Sequence, residues 1–146
     1  MDPISISSER ISAAEYIDFL KRTDLGSQYP KERFHERIEK LVKNAGVSLV
    51  ARDESGKIVG VCFCITDFAY WMFITDLGVD RDFVRRGIGK KLVETALDLA
   101  GGKENIIVYT CANRNAVPFY KSLGMSRASD DVMEMNCVDW TEFTVE

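Results

Sequence analysis

Histidine, proline and long apolar runs are scarce in this chain, and each scarcity narrows what it can be. The 146 residues contain one histidine and three prolines. His35 sits among charges in a helical run, without the partners that a metal site or a catalytic triad needs. It is expected at the surface, and no bound metal is expected. No apolar stretch approaches the roughly 20 residues that span a bilayer. The segment from Met1 to Arg10 is polar and lacks the apolar core of a secretory signal. A cytoplasmic protein without a membrane partner is the expectation. Positive charge is also in deficit: 19 Lys and Arg against 23 Asp and Glu leave a net charge of −4. That balance argues against nucleic acid as a partner, because phosphate neutralisation needs a basic surface. The four cysteines do not suggest zinc. Cys62 and Cys64 lie on one side of a strand-like run, while Cys111 and Cys137 each stand alone. Reduced, mostly buried thiols are expected.

Apolar residues make up 46% and charged residues 29%, the balance of an ordinary globular protein. The length fits one domain, residues 1–146, around one core. Ile4 to Ser7 reads as a short strand. Ser12 followed by Glu15 has the form of a capping box, and Tyr16, Ile17, Phe19 and Leu20 give the helix after it an apolar side. Pro30 opens a second helix, in which Phe34, Ile38, Leu41, Val42 and Ala45 recur at helical spacing. Strands follow at Val47 to Ala51, Ile58 to Thr66 and Tyr70 to Val79, separated by turns at Asp53–Lys57 and near Asp67. A charged loop, Asp80 to Arg86, leads into a helix from about Gly87 to Ala100. Asn105 to Thr110 is a fifth strand, Asn113 to Leu123 a short helix, and Val132 to Val138 a last strand. The order predicts a mixed α/β fold: a mostly antiparallel central sheet, one parallel strand–helix–strand crossover, and helices on both sides.

The segment from Val79 to Lys91 carries the strongest chemical signal. A strand ends, a loop turns, and Gly87 and Gly89 stand where an amphipathic helix begins. Helix N-termini present unpaired N–H groups and the positive end of the dipole. Glycines there let an anion approach the backbone closely. Arg85, Arg86, Lys90 and Lys91 gather positive charge in a chain that is acidic overall. A polyphosphate ligand fits these features. A dinucleotide fingerprint would need a third glycine where Leu92 stands, and a P-loop would need Ser or Thr where Lys91 follows Lys90.

A second motif lies downstream. Asn113-Arg114-Asn115-Ala116-Val117-Pro118-Phe119-Tyr120-Lys121-Ser122-Leu123-Gly124-Met125 resembles the N-x-x-A-x-x-F-Y-x-x-x-G-F segment of the GNAT superfamily of N-acetyltransferases. The glycine loop resembles that superfamily's Q/R-x-x-G-x-G/A acetyl-CoA motif, with Val84 in place of Gln or Arg and Arg85 where Gly is frequent. The resemblance covers about Asp76 to Met125. It implies acetyl-CoA as co-substrate, its pyrophosphate held by the backbone of Val84, Arg85, Arg86, Gly87, Ile88, Gly89 and Lys90. It also implies a slot for the pantetheine arm where the fourth and fifth strands splay. Backbone groups of Leu77, Gly78 and Val79 would line that slot, with Gly78 accommodating the bulge a splay requires. Asn113 matches the motif's asparagine and either holds the cofactor arm or, like Asn115, caps the following helix.

Within that resemblance Tyr120 is the candidate general acid, protonating the departing thiolate. Read alone, it would be a core tyrosine beside Phe119. Asp76 is the candidate base, unless strand alternation turns it away from the cleft; Asp67 is a second carboxylate to consider. Tyr29, Asp67, Tyr70 and Trp71 are candidates for the acceptor pocket, with Phe34 more readily a core residue. Two function classes stay open. One is an N-acetyltransferase acting on a small-molecule or protein primary amine by direct attack in a ternary complex. The other is a non-catalytic acyl-CoA sensor of the same fold. Transfer of a longer acyl group, and a homodimer through Trp140 and Phe143, also stay open.

Overall fold

The computed structural model describes residues 3–25, 29–128, 131–138 and 145. Strand β1 (Ser5–Ser8) is followed by helices α1 (Ala13–Leu20) and α2 (Phe34–Asn44). Strands β2 (Val47–Arg52), β3 (Ile58–Thr66) and β4 (Trp71–Val79) come next, then α3 (Ile88–Ala100), β5 (Ile107–Thr110) and α4 (Val117–Ser122). The five strands form one sheet in chain order, antiparallel from β1 to β4, with β5 parallel to β4. Short hairpins force the antiparallel pairing of β2 with β3 and of β3 with β4, while β1 reaches β2 across α1 and α2. The parallel pair needs the crossover that α3 supplies.

The helices take opposite faces of the sheet because their apolar stripes differ. The α3 stripe, Ile88, Leu92, Val93, Ala96 and Ala100, packs on Leu49, Val59, Cys62, Met72 and Ile74, with α4 contributing Phe119, Tyr120 and Leu123. The α1 and α2 stripes, Tyr16, Phe19, Leu20, Ile38 and Val42, pack on Val50, Val61 and Phe63. Each fully buried aliphatic side chain there contributes about 1.5–3 kcal/mol. The capping box is formed: Ser12 Oγ accepts the Glu15 N–H, and Glu15 Oε1 accepts the Ser12 N–H, each at 3.1 Å.

Several boundaries differ from expectation. Helix α2 begins at Phe34 and not at Pro30, since Arg33 ahead of it adopts a left-handed φ of 52°. Helix α4 is shorter than its motif because Asn113 to Ala116 form a turn before it. Val132 to Val138 is not a strand. Its apolar residues fall on both parities, so no single sheet face would bury them, and Val132, Met133 and Met135 stay exposed. Trp140 and Phe143 lie outside the described residues. Among the described residues no helix is long and apolar enough to cross a membrane.

The feature that shapes the site is a bulge in β4. Phe63 pairs with Asp76 and Cys64 with Ile74, so Thr75 is the extra residue. Before it, Met72 and Ile74 face the α3 side; after it, Leu77 and Val79 do. Asp76 is thereby turned to the α1 side. Gly78 was expected to accommodate a bulge, but it serves packing: a Cβ there would lie 3.2 Å from both Leu25 and Thr23 and 3.3 Å from Phe19.

Candidate active site

Strands β4 and β5 pair only from Trp71–Ile107 to Ile74–Thr110. The last rung is reinforced by the Thr110 hydroxyl, which donates to the Ile74 carbonyl at 2.9 Å. Beyond it the strands part, so the edge of β4 from Thr75 to Val79 has no strand partner among the described residues. The gap is a slot of about 260 Å³ lined by both strand ends, by Thr23 to Leu25, and by Ala116 and Tyr120 of the α4 segment. Its β4 wall offers a row of backbone amides and carbonyls. Tyr120 is half-buried there. Burial pushes its phenol above the ordinary value; a hydrogen bond with Thr110 opposes the rise, and Cys62, Cys64 and Asp76 add to it. The phenol therefore keeps its proton at neutral pH.

At the slot's outer end stands the N-terminus of α3. No side chain caps it, and the N–H groups of a helix's first turn have no partner within the helix. Gly87 sits at the N-cap with φ 77° and open space where a Cβ would be. Arg85 also takes a left-handed φ, 64°, a conformation that glycine adopts at no steric cost. Gly89 has a different role, since a Cβ there would lie 3.2 Å from the Phe119 ring. Its absence lets α4 close against α3. The loop before α3 is anchored where it leaves β4. Arg81 donates to Asp24 and to the carbonyls of Lys21 and Thr23. Arg22 donates to Asp80 at 2.5 Å. Burial raises the Asp80 carboxyl, but the Asp82 N–H, Arg22 and Lys57 outweigh it and hold the group below its ordinary value. An uncapped helix N-terminus with exposed Arg85, Arg86 and Lys90, opening onto a narrow amide-lined slot, fits a polyphosphate with an extended arm.

Behind the slot lies a carboxylate that has no ion-pair partner among the described residues. Asp76 is 3% exposed. Its Oδ1 accepts from Tyr29 and, at 3.3 Å, from Tyr16, and the two phenol oxygens are 2.9 Å apart. The Thr75 hydroxyl lies 2.8 Å from Oδ2 and 3.1 Å from the Phe63 carbonyl. Burial drives Asp76 from its ordinary 3.8 to about 7, against the opposing Tyr16 hydrogen bond. Tyr16 in turn is pushed well above its ordinary range by burial and by the Asp76 charge.

The acetyltransferase (GNAT) family model matches residues 14–125, from α1 through the turn after α4. The chain belongs to the GNAT family. Acyl transfer from acetyl-CoA is the chemistry of that family. A mycothiol acetyltransferase of Propionibacterium freudenreichii subsp. shermanii is 28% identical over 140 residues, covering 85% of this chain and 41% of its own length. The chain thus spans about two-fifths of that curated relative. A GNAT-family acetyltransferase of Streptococcus pneumoniae superposes with a TM-score of 0.70 at 21% identity, over 92% of this chain and 99% of its own. A GNAT-family N-acetyltransferase of Escherichia coli, solved with CoA, gives 0.65 at 20% identity, over 85% and 69%.

Set on the GNAT fold, the residues singled out from sequence divide into groups. Leu77, Gly78, Val79, Val84, Asn113 and Tyr120 all line the slot. Arg85 to Lys90 form the adjoining helix entry. Asn113 does not cap α4, which has no side-chain cap; its Oδ1 accepts the Ala116 N–H at 2.9 Å and ties the turn before that helix. Asp76 does not line the slot; the Thr75 bulge turns it beneath α1. Asp67 is occupied otherwise. Its Oδ1 accepts the N–H groups of Ala69, Tyr70 and Trp71, which fixes the β3–β4 hairpin and lowers its pKa. Tyr70 is exposed, and half-exposed Trp71 stacks on Tyr109 at 5.9 Å. Tyr29 meets Asp76 and packs edge-on against Phe34. Two residues of the site were missed. Tyr16 reads in sequence as part of an apolar helix face, although a buried phenol needs a polar partner. Thr75 carried no signal, because its place depends on the bulge.

Proposed function

We propose that the protein transfers the acetyl group of acetyl-CoA to a primary amine by direct attack in a ternary complex. The observation that carries this reading is a donor slot with a proton-retaining phenol on one wall and, behind β4, a carboxyl poised near neutrality. The first-turn N–H groups of α3, with Arg85, Arg86 and Lys90, hold the pyrophosphate. The unpaired amides between Leu77 and Val79 hold the pantetheine arm and polarise the thioester carbonyl, whose developing negative charge they stabilise. Tyr120 donates its proton to the departing thiolate. Unperturbed thiols titrate near about 8.5 and phenols near about 10, so the transfer is only mildly uphill.

Asp76 takes the proton that the amine must lose. An alkylammonium group titrates near about 10, and a base near 7 is partly ionised at neutral pH while remaining strong enough to accept. The acceptor enters from the α1 and α2 side, where Tyr29 covers Asp76 and the aromatic row Trp71, Phe73 and Tyr109 flanks the fork. Those rings favour an acceptor with an apolar or cationic body.

The test is release of free thiol from acetyl-CoA with a panel of primary amines: spermidine, tyramine, kanamycin, free amino acids and a lysine-containing peptide. Mass spectrometry and hydroxylamine then classify the product. An amide resists hydroxylamine; an acetyl ester or thioester is cleaved by it and would refute transfer to nitrogen. No turnover with any amine would refute the proposal as well.

A further inference from the structure

The base and the slot do not touch. Asp76 is buried beneath α1 and is absent from the slot wall, so an amine at the thioester cannot reach its carboxylate directly. One side chain belongs to both places. Thr75 lines the slot, is exposed into it, and sets its hydroxyl 2.8 Å from Asp76 Oδ2. It stands there because the bulge excludes it from the β3–β4 pairing. We propose that the Thr75 hydroxyl relays the proton of the acceptor amine from the slot to Asp76. This rests on the reading above, in which the amine attacks acetyl-CoA within the slot.

The step balances without an added reagent. The Thr75 O–H bond breaks as its proton passes to Oδ2, and a new O–H bond forms with the proton leaving the amine nitrogen. The nitrogen keeps the freed electron pair for attack on the thioester carbon. Thr75 ends with one proton, as it began, and Asp76 is neutral. The Phe63 carbonyl completes the relay. At 3.1 Å from Oγ1 it accepts the new Thr75 proton once protonated Asp76 has become the donor to the same oxygen. Each state of the pair therefore has a partner for every hydrogen. At Oδ1, Tyr29 and Tyr16 hold the carboxylate in place.

The groups that face Asp76 suit such a relay. Among the described residues they are Tyr16 from α1, Tyr29 from the segment before α2, Thr75 on its own strand, Phe63 paired opposite on β3, and Tyr120 of α4. None of these carries a positive charge that would lock the carboxylate in its ionised form.

The experiment compares Thr75→Val, Thr75→Ser and Asp76→Asn with the wild type, using the amine that the panel identifies. It reads kcat against pH and acetyl-CoA affinity by calorimetry. Thr75→Val keeps the shape and removes the hydroxyl; Thr75→Ala adds no atoms and substitutes for it if the valine disturbs the bulge. The relay predicts that Thr75→Val lowers kcat about a hundredfold or more and removes the inflection near pH 7, with acetyl-CoA affinity unchanged. Thr75→Ser restores both rate and inflection. Asp76→Asn matches Thr75→Val, and the double variant is no slower than either single one, because the two residues act as a unit. If Thr75→Val keeps the wild-type rate and inflection while Asp76→Asn loses them, the relay is wrong and the base assignment survives. If Asp76→Asn keeps both, the base assignment falls. If no panel amine is acetylated, the reading beneath both falls.

Discussion

Replacing Asp76 by asparagine should remove a loss of stability with rising pH, and by an amount the structure sets. In the folded state burial raises this carboxyl from 3.8 to about 7. Between those values the folded protein keeps the proton that the unfolded chain has released. Stability must then fall as pH rises through this window, because the folded state binds more protons than the unfolded one. At about 1.4 kcal/mol per pKa unit, the full change is about 4 kcal/mol, complete once the pH is well above 7. Asparagine keeps the size and an acceptor for Tyr16 and Tyr29, but it has no proton to lose. Urea unfolding from pH 4 to pH 8 measures both proteins. The variant's stability relative to the wild type should rise by about 4 kcal/mol across that range. Any cost of altered hydrogen bonds appears as a constant offset and cancels from the slope, as do the other carboxylates. A difference that stays flat across the window would refute the assignment of a buried, proton-holding Asp76.

Tyr120→Phe should lower kcat about a hundredfold or more while leaving the KM for acetyl-CoA unchanged; steady-state kinetics decide it. Gly78→Val should cost about 1–3 kcal/mol in urea unfolding, since Leu25, Thr23 and Phe19 already crowd the missing Cβ. Gly87→Ala meets no atoms and should cost only about 1–2 kcal/mol for its left-handed φ, with Gly87→Asn costing less. Asp67→Ala should destabilise the hairpin by about 1 kcal/mol and leave acetyl-CoA affinity intact, because the carboxylate holds three backbone N–H groups away from the slot. An affinity loss in that calorimetric comparison would place Asp67 in the site after all.

Much of the site was legible because it is local in sequence. The glycine loop and the asparagine-to-tyrosine segment each lie within about a dozen consecutive residues, and the amphipathic helix that the loop opens follows from its periodicity. The antiparallel run from β2 to β4 was legible too, since turns as short as Asp53–Lys57 leave little choice of pairing. Asp76, Tyr16 and Tyr29 meet across separations of 60 and 47 residues, and nothing local announces such a contact. Its geometry also hangs on the bulge at Thr75. Plain alternation would have set Asp76 on the side of Ile74, and the bulge turned it over. Val132 to Val138 misled for a related reason: β-prone residues make a strand only where a neighbouring strand accepts their backbone groups.

The claim on which the rest depends is that the fork between β4 and β5 and the N-terminus of α3 together hold acetyl-CoA. Calorimetric titration of the wild type and of Gly87→Glu with acetyl-CoA tests it most directly, with melting curves to check that the variant is folded. The account predicts one site per chain in the wild type, and at least about a tenfold loss of affinity, or 1.4 kcal/mol, when a carboxylate is placed at the helix entry. No binding by the folded wild type, or equal binding by the two proteins, would contradict it.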